Sequence, residues 1–108
     1  MARRTMRLYD IPDEHPAVRT WLSELSNEEF LAHILAVQEL GPAFAGCQHL
    51  PGDLWALTVP IGHGKLANLL FFSLKSGDFL AIHGFTSRHN EDASAEIEIA
   101  RKRKRDLE

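Results

Sequence analysis

Three short apolar runs, separated by glycine-containing turns, constrain this chain more than any other feature. Leu54-Trp55-Ala56-Leu57-Thr58-Val59, Leu66-Ala67-Asn68-Leu69-Leu70-Phe71-Phe72 and Phe79-Leu80-Ala81-Ile82-His83 each have strand length. Gly62-His63-Gly64-Lys65 and Lys75-Ser76-Gly77-Asp78 lie between them and read as hairpin connections. The two leucine-rich runs could individually pass for buried helix, but their length and punctuation argue for strand, so the expected unit is an antiparallel meander. The preceding half has a different period. Residues 6–11 suit a short strand stopped by Pro12. A turn through Asp13-Glu14-His15-Pro16 leads to a helix, with Pro16 in its first turn and Val18, Trp21, Leu22 and Leu25 at helical spacing. Ser26 and Glu29 have capping-box spacing for a second helix, striped by Phe30, Leu31, Ile34, Leu35 and Val37 and ended by Gly41-Pro42. After a polar stretch, Thr86 to Asp92, a last helix begins near Ala93 with thin apolar content and is expected on the surface.

The predicted class is therefore α+β in the order β-α-α-β-β-β-α. An αα-hairpin would pack one face of a mainly antiparallel four-stranded sheet, with the other face partly open. At 108 residues, 44% hydrophobic and 25% charged, residues 1–108 form one domain with one modest core and little room for a deep cofactor cavity. The expected shared core is Trp21, Leu25, Phe30, Ile34, Leu57, Leu69, Phe71 and Ile82. No apolar run approaches a membrane span and no signal-peptide core precedes Leu8, so a cytoplasmic protein without membrane association is expected.

Charge is segregated. Residues 1–7 carry three arginines and no acid; residues 8–87 carry Arg19, Lys65 and Lys75 against nine acids; Arg101-Lys102-Arg103-Lys104-Arg105 follow near the C-terminus. Cationic clusters attract phosphate by counterion release, so only the two ends of this chain suit nucleic acid. The single cysteine, Cys47, excludes an internal disulfide framework and cysteine-pair zinc sites, and its neighbour His49 does not make a thiol-protease signature. The six histidines show no metal-motif spacing, and no cofactor is expected.

Gly52-Asp53-Leu54-Trp55-Ala56-Leu57, the glycine turn, Phe71-Phe72, Ile82-His83-Gly84-Phe85 and Glu96-Ile97-Glu98-Ile99-Ala100 together resemble the RelE/HigB toxin superfamily, more narrowly its phage-derived HigB-like branch. The resemblance covers nearly the whole chain. It implies the toxin of a type II toxin–antitoxin pair: a metal-independent, ribosome-dependent endoribonuclease that cleaves mRNA and inhibits translation. Its implied partners are the ribosome, mRNA and a cognate antitoxin of helix-turn-helix type. The chain departs from the family pattern where arginines are usual. Ala56 and Thr58 replace a glutamate and an arginine, and Ala67 or Asn68 stands at a second arginine position. The lysine-rich loop reads Thr86-Ser87-Arg88-His89-Asn90-Glu91-Asp92, and the sequence pI is about 6.0.

RNA cleavage through the 2′-hydroxyl needs a base, an acid and cations for the charged phosphorane. The catalytic candidates are Arg88, His89 and His83, with His83 equally readable as a packed strand-end residue. Lys65, His63 and the Arg101, Lys102, Arg103, Lys104, Arg105 run are candidates for RNA or phosphate contact. Each also has a plain reading as a turn residue or solvated charge. The alternative function is a toxin-fold protein that has lost its catalytic cations and acts by binding a protein partner.

Overall fold

The computed structural model describes residues 4–9 and 18–107. The turn expected at 13–16, and Pro16 as a helix start, lie outside the described residues. The elements are β1 (Met6–Leu8), α1 (Val18–Leu25), α2 (Glu28–Leu40), β2 (Gln48–Leu50), β3 (Leu54–Gly62), β4 (Lys65–Ser73), β5 (Phe79–Arg88) and α3 (Ser94–Leu107). Among the described residues the sheet has five strands in the order β1-β5-β4-β3-β2. β1 runs parallel to β5, and the other neighbours are antiparallel. The expected meander is β3-β4-β5. The additional strand is β2, three residues that pair His49 with Trp55 across β3, and its brevity before Pro51 leaves no periodic trace.

Local chemistry sets the helix ends. Asn27, not Ser26, caps α2: its side-chain oxygen accepts from the Phe30 N–H at 2.9 Å, while Ser26 adopts a positive φ of 45°. Gly41 ends α2 at φ 89°, where its N–H bonds to Val37 O at 2.9 Å.

Side chains alternate across β4 and β5, and a bulge between Leu70 and Phe71 interrupts the register. On one face Phe30, Ile34 and Val37 of α2 belong to a core that includes Leu57, Leu69, Phe71 and Ile82. Trp21 and Leu25 of the expected core are half-buried but packed against it. The other face is partly covered by α3, which is more than a surface helix. Ala100 is fully buried, Ile97 packs on the core, and Arg103 is only 4% exposed. α3 has too few apolar positions to predict this, because a buried arginine makes part of the contact.

The seating of α1 depends on one residue without a side chain. A Cβ at Gly84 would come within 2.6 Å of Trp21 Cζ3 and 2.8 Å of Cδ2. The indole therefore lies against the backbone of β5, donates from Nε1 to Thr86 Oγ1 at 3.2 Å, and meets Phe30 edge-on at 5.6 Å. Gly84→Ala should displace the ring and destabilise the fold by about 1–3 kcal/mol, the usual range for overpacking. Trp21→Leu in the same chain should recover part of that loss. Urea denaturation of the two single variants and the double variant measures the coupling, and additive effects would place the ring elsewhere.

Candidate nucleic-acid interface

The register of β4 against β5 brings Lys65 directly opposite Arg88. Directly paired residues share a face, so two cations face one another at this end of the sheet, an arrangement that disfavours the pairing unless an anion lies between them. His63 sits at the β3–β4 hairpin tip with φ 55°, beside Gly64 at φ 71°. The His89 N–H bonds to Gly64 O at 3.3 Å, which ties the tip to the end of β5. Lys65, Arg88, His63 and His89 thus gather at one end of the molecule, all exposed. Neither Lys65 nor the Arg88 guanidinium has an ion-pair partner among the described residues. A shallow cleft of about 350 Å³ runs between them, lined by Lys65, Thr86, Ser87, Arg88 and Glu91. Glu91 lies in it because its carboxylate accepts from the Arg88 backbone N–H at 2.7 Å.

His83 does not join this group. It stands five residues earlier on β5, and the alternation of the strand sends it to the face covered by α3 while Arg88 points the other way. Its ring is 4% exposed and both nitrogens are engaged. Arg103 Nη1 donates to Nδ1 at 3.1 Å and to Ile82 O at 2.7 Å. A guanidinium only donates, so Nδ1 is the acceptor, and Nε2 carries the proton that bonds to Glu96 Oε2. His83 is therefore apart from the other catalytic candidates, Arg88 and His89, and of its two readings the packed strand-end residue holds, as a buried link between β5 and α3.

The basic run is divided by the same contact. Arg103 turns inward, where its guanidinium also lies over the Tyr9 ring at 5.5 Å. Lys104 lies over Phe72 at 5.2 Å. Arg101 bonds to Glu98 at 2.9 Å. Lys102 and Arg105 are exposed. Five consecutive cations on a helix cannot share one face, so the run makes no continuous phosphate track. Near it a broader cleft of about 700 Å³ is lined by Phe72, Leu74, Leu80 and Leu107, with Lys75, Lys104 and Asp53.

The positions where the resemblance anticipates arginines hold a closed neutral network. Thr58 and Asn68 are direct cross-strand partners, and the Thr58 hydroxyl donates to Asn68 Oδ1 at 2.9 Å. Asn68 Nδ2 donates to Ser87 Oγ at 2.9 Å and to Phe85 O at 3.3 Å. This row joins three strands by hydrogen bonds and offers no cation. Burial pushes the Cys47 thiol up to about 11, which disfavours its thiolate form. Among the described residues no cluster of three or more histidine, cysteine, aspartate or glutamate side chains is placed to hold a metal ion. No helix among them is long and apolar enough to cross a membrane. No protein-family model and no curated protein matches the chain.

Sequence reasoning did not find the inward role of Arg103 or the Glu96 partner of His83. The spacing Glu96, Ala100, Arg103 at i, i+4 and i+7 on one helix face was the available signal. Arg103→Met should destabilise the fold by about 1.5–3 kcal/mol, the range for hydrogen bonds to a charged group. A urea midpoint equal to that of the parent protein would show that Arg103 does not hold α3 to β5.

Proposed function

We propose that this chain is a toxin-type domain similar to RelE/HigB proteins, acting on mRNA as a metal-independent, ribosome-dependent endoribonuclease and restrained by a helix-turn-helix antitoxin. The carrying observation is the placement of Lys65 opposite Arg88, with His63 and His89 beside them. In this reading the two cations hold the scissile phosphate and stabilise its charge as the 2′-oxygen attacks. One histidine accepts the 2′-hydroxyl proton and the other protonates the departing 5′-oxygen. The bond from phosphorus to the 2′-oxygen forms as that to the 5′-oxygen breaks, leaving a 2′,3′-cyclic phosphate. No metal enters this scheme.

A second reading is favoured by the neutral row Thr58, Asn68 and Ser87. A chain without arginines there acts as a catalytically degenerate toxin-fold protein that binds a protein partner. Exposed apolar side chains on α2 and the following loop (Leu31, Leu35, Leu40 and the 87%-exposed Phe44) are consistent with such contact.

Induced expression in bacteria discriminates the two readings. The endoribonuclease reading expects growth arrest and mRNA cut within translated regions. Lys65→Ala with Arg88→Ala should reduce cleavage at least 100-fold, since one group stabilising transition-state charge contributes roughly 2.7–4 kcal/mol. Arrest without cleavage would assign the chain to partner binding. Cleavage that survives the double change would keep the enzyme and reject this site.

A further inference from the structure

The cationic cleft does not end at Lys65. A second cleft of about 270 Å³ adjoins it and shares Lys65 and Thr86 as its wall. Its other lining is different in character: Trp21, Leu25 and Ile61 are apolar, and Glu24 supplies a carboxylate. Glu24 is exposed on α1 and forms no hydrogen bond or ion pair among the described residues. Thr86 Oγ1 accepts the Trp21 indole N–H, so its own hydroxyl proton remains to be donated. One cleft, with Lys65 and Arg88 against the single carboxylate of Glu91, which is already held by the Arg88 backbone N–H, therefore suits a phosphate. The other suits a flat apolar group whose edge donates hydrogen bonds to a carboxylate.

We infer that the linked clefts form a guanine-nucleotide subsite, in which Lys65 and Arg88 hold the phosphate and Glu24 selects the base. The selection follows from donor patterns. A carboxylate has two acceptor oxygens and no donor, so it pairs best with two adjacent N–H groups. The pairing edge of guanine presents adjacent donors at N1 and N2. Adenine and cytosine each place one donor beside an acceptor, and uracil places its donor between two carbonyl oxygens. Each of these sets an acceptor against the carboxylate, and a mismatch of this kind discriminates strongly because a polar group is left unpaired. Trp21, Leu25 and Ile61 contact the apolar faces of the base. The subsite rests on the reading of Lys65 and Arg88 as a phosphate site and adds a base preference to it.

Isothermal titration of the purified full chain with GMP, IMP, AMP, CMP and UMP tests this without requiring RNA cleavage. GMP should bind most tightly. IMP, which lacks the N2 amino group, should bind about 10-fold more weakly, and the other three about 100-fold more weakly. Glu24→Gln, a change at an exposed position that should leave thermal unfolding unchanged, should remove the advantage of GMP over AMP. Lys65→Gln should weaken all five to a similar degree. Equal binding of the five nucleotides, no binding at millimolar concentration, or a GMP preference that survives Glu24→Gln would overturn the subsite. Cleavage activity in cells alongside any of those results would leave the proposed function standing. A GMP preference without cleavage would reject the endonuclease and keep the subsite.

Discussion

The approach of Trp21 to the β5 backbone at Gly84 is the contact on which the geometry of the proposed site depends. α1 has eight residues and little buried surface of its own, with Val18 alone fully buried. A helix this short is not stable by propensity, so packing must fix its position. The indole supplies that anchor by lying on the strand, bonding to Thr86 and meeting Phe30 edge-on. With α1 seated there, Glu24 and Leu25 come beside Ile61 and Lys65, and the smaller cleft exists.

The alternation of side chains along β5 then distributes the chemistry. Ile82-His83-Gly84-Phe85 reads as one motif in sequence, yet consecutive residues serve opposite faces. Gly84 receives Trp21, whereas His83 faces α3 and stacks on Phe85 at 5.5 Å. Because Arg103 and Glu96 engage both ring nitrogens of His83, that face carries a buried hydrogen-bonded link between β5 and α3. The hairpin end instead carries Lys65 and the Arg88 guanidinium, which form no ion pair among the described residues. In an acidic body, a pair of facing cations such as Lys65 and Arg88 is a local positive field whose repulsion an anion would relieve.

Much of the fold was readable from the sequence because its signals are local. Glycine turns bounded the meander, and the helical spacing from Val18 to Leu25 and from Phe30 to Val37 marked both helices. Strand ends were less readable: β5 continues through Thr86, Ser87 and Arg88, polar residues that pair only because β4 lies alongside. The cap on α2 fell to Asn27 because Ser26 is held at positive φ, which spacing does not reveal. For the site, proximity in sequence already sets Arg88 beside His89 and Lys65 near His63, and the strand pairing brings the two pairs to one end. Sequence proximity left His83 open between a site role and a packed strand-end role, and the structure gives the packed one, because the face a residue occupies depends on partners far along the chain. Arg103 looked like one more solvated cation, since a run of five gives no sign of which member turns inward. Glu24 carried no sequence signal at all, because its relation to Lys65 arises only when α1 docks.

In the proposed function RNA meets the hairpin end of the sheet and not the basic helix. A titration of the isotope-labelled protein with a short single-stranded RNA, followed by amide and indole NMR shifts, tests it most directly. Binding at the hairpin end should confine the shifts to the Trp21 indole N–H, Glu24, His63 to Lys65 and Thr86 to His89. Shifts centred on Arg101 to Arg105, with the hairpin end unchanged, would contradict it.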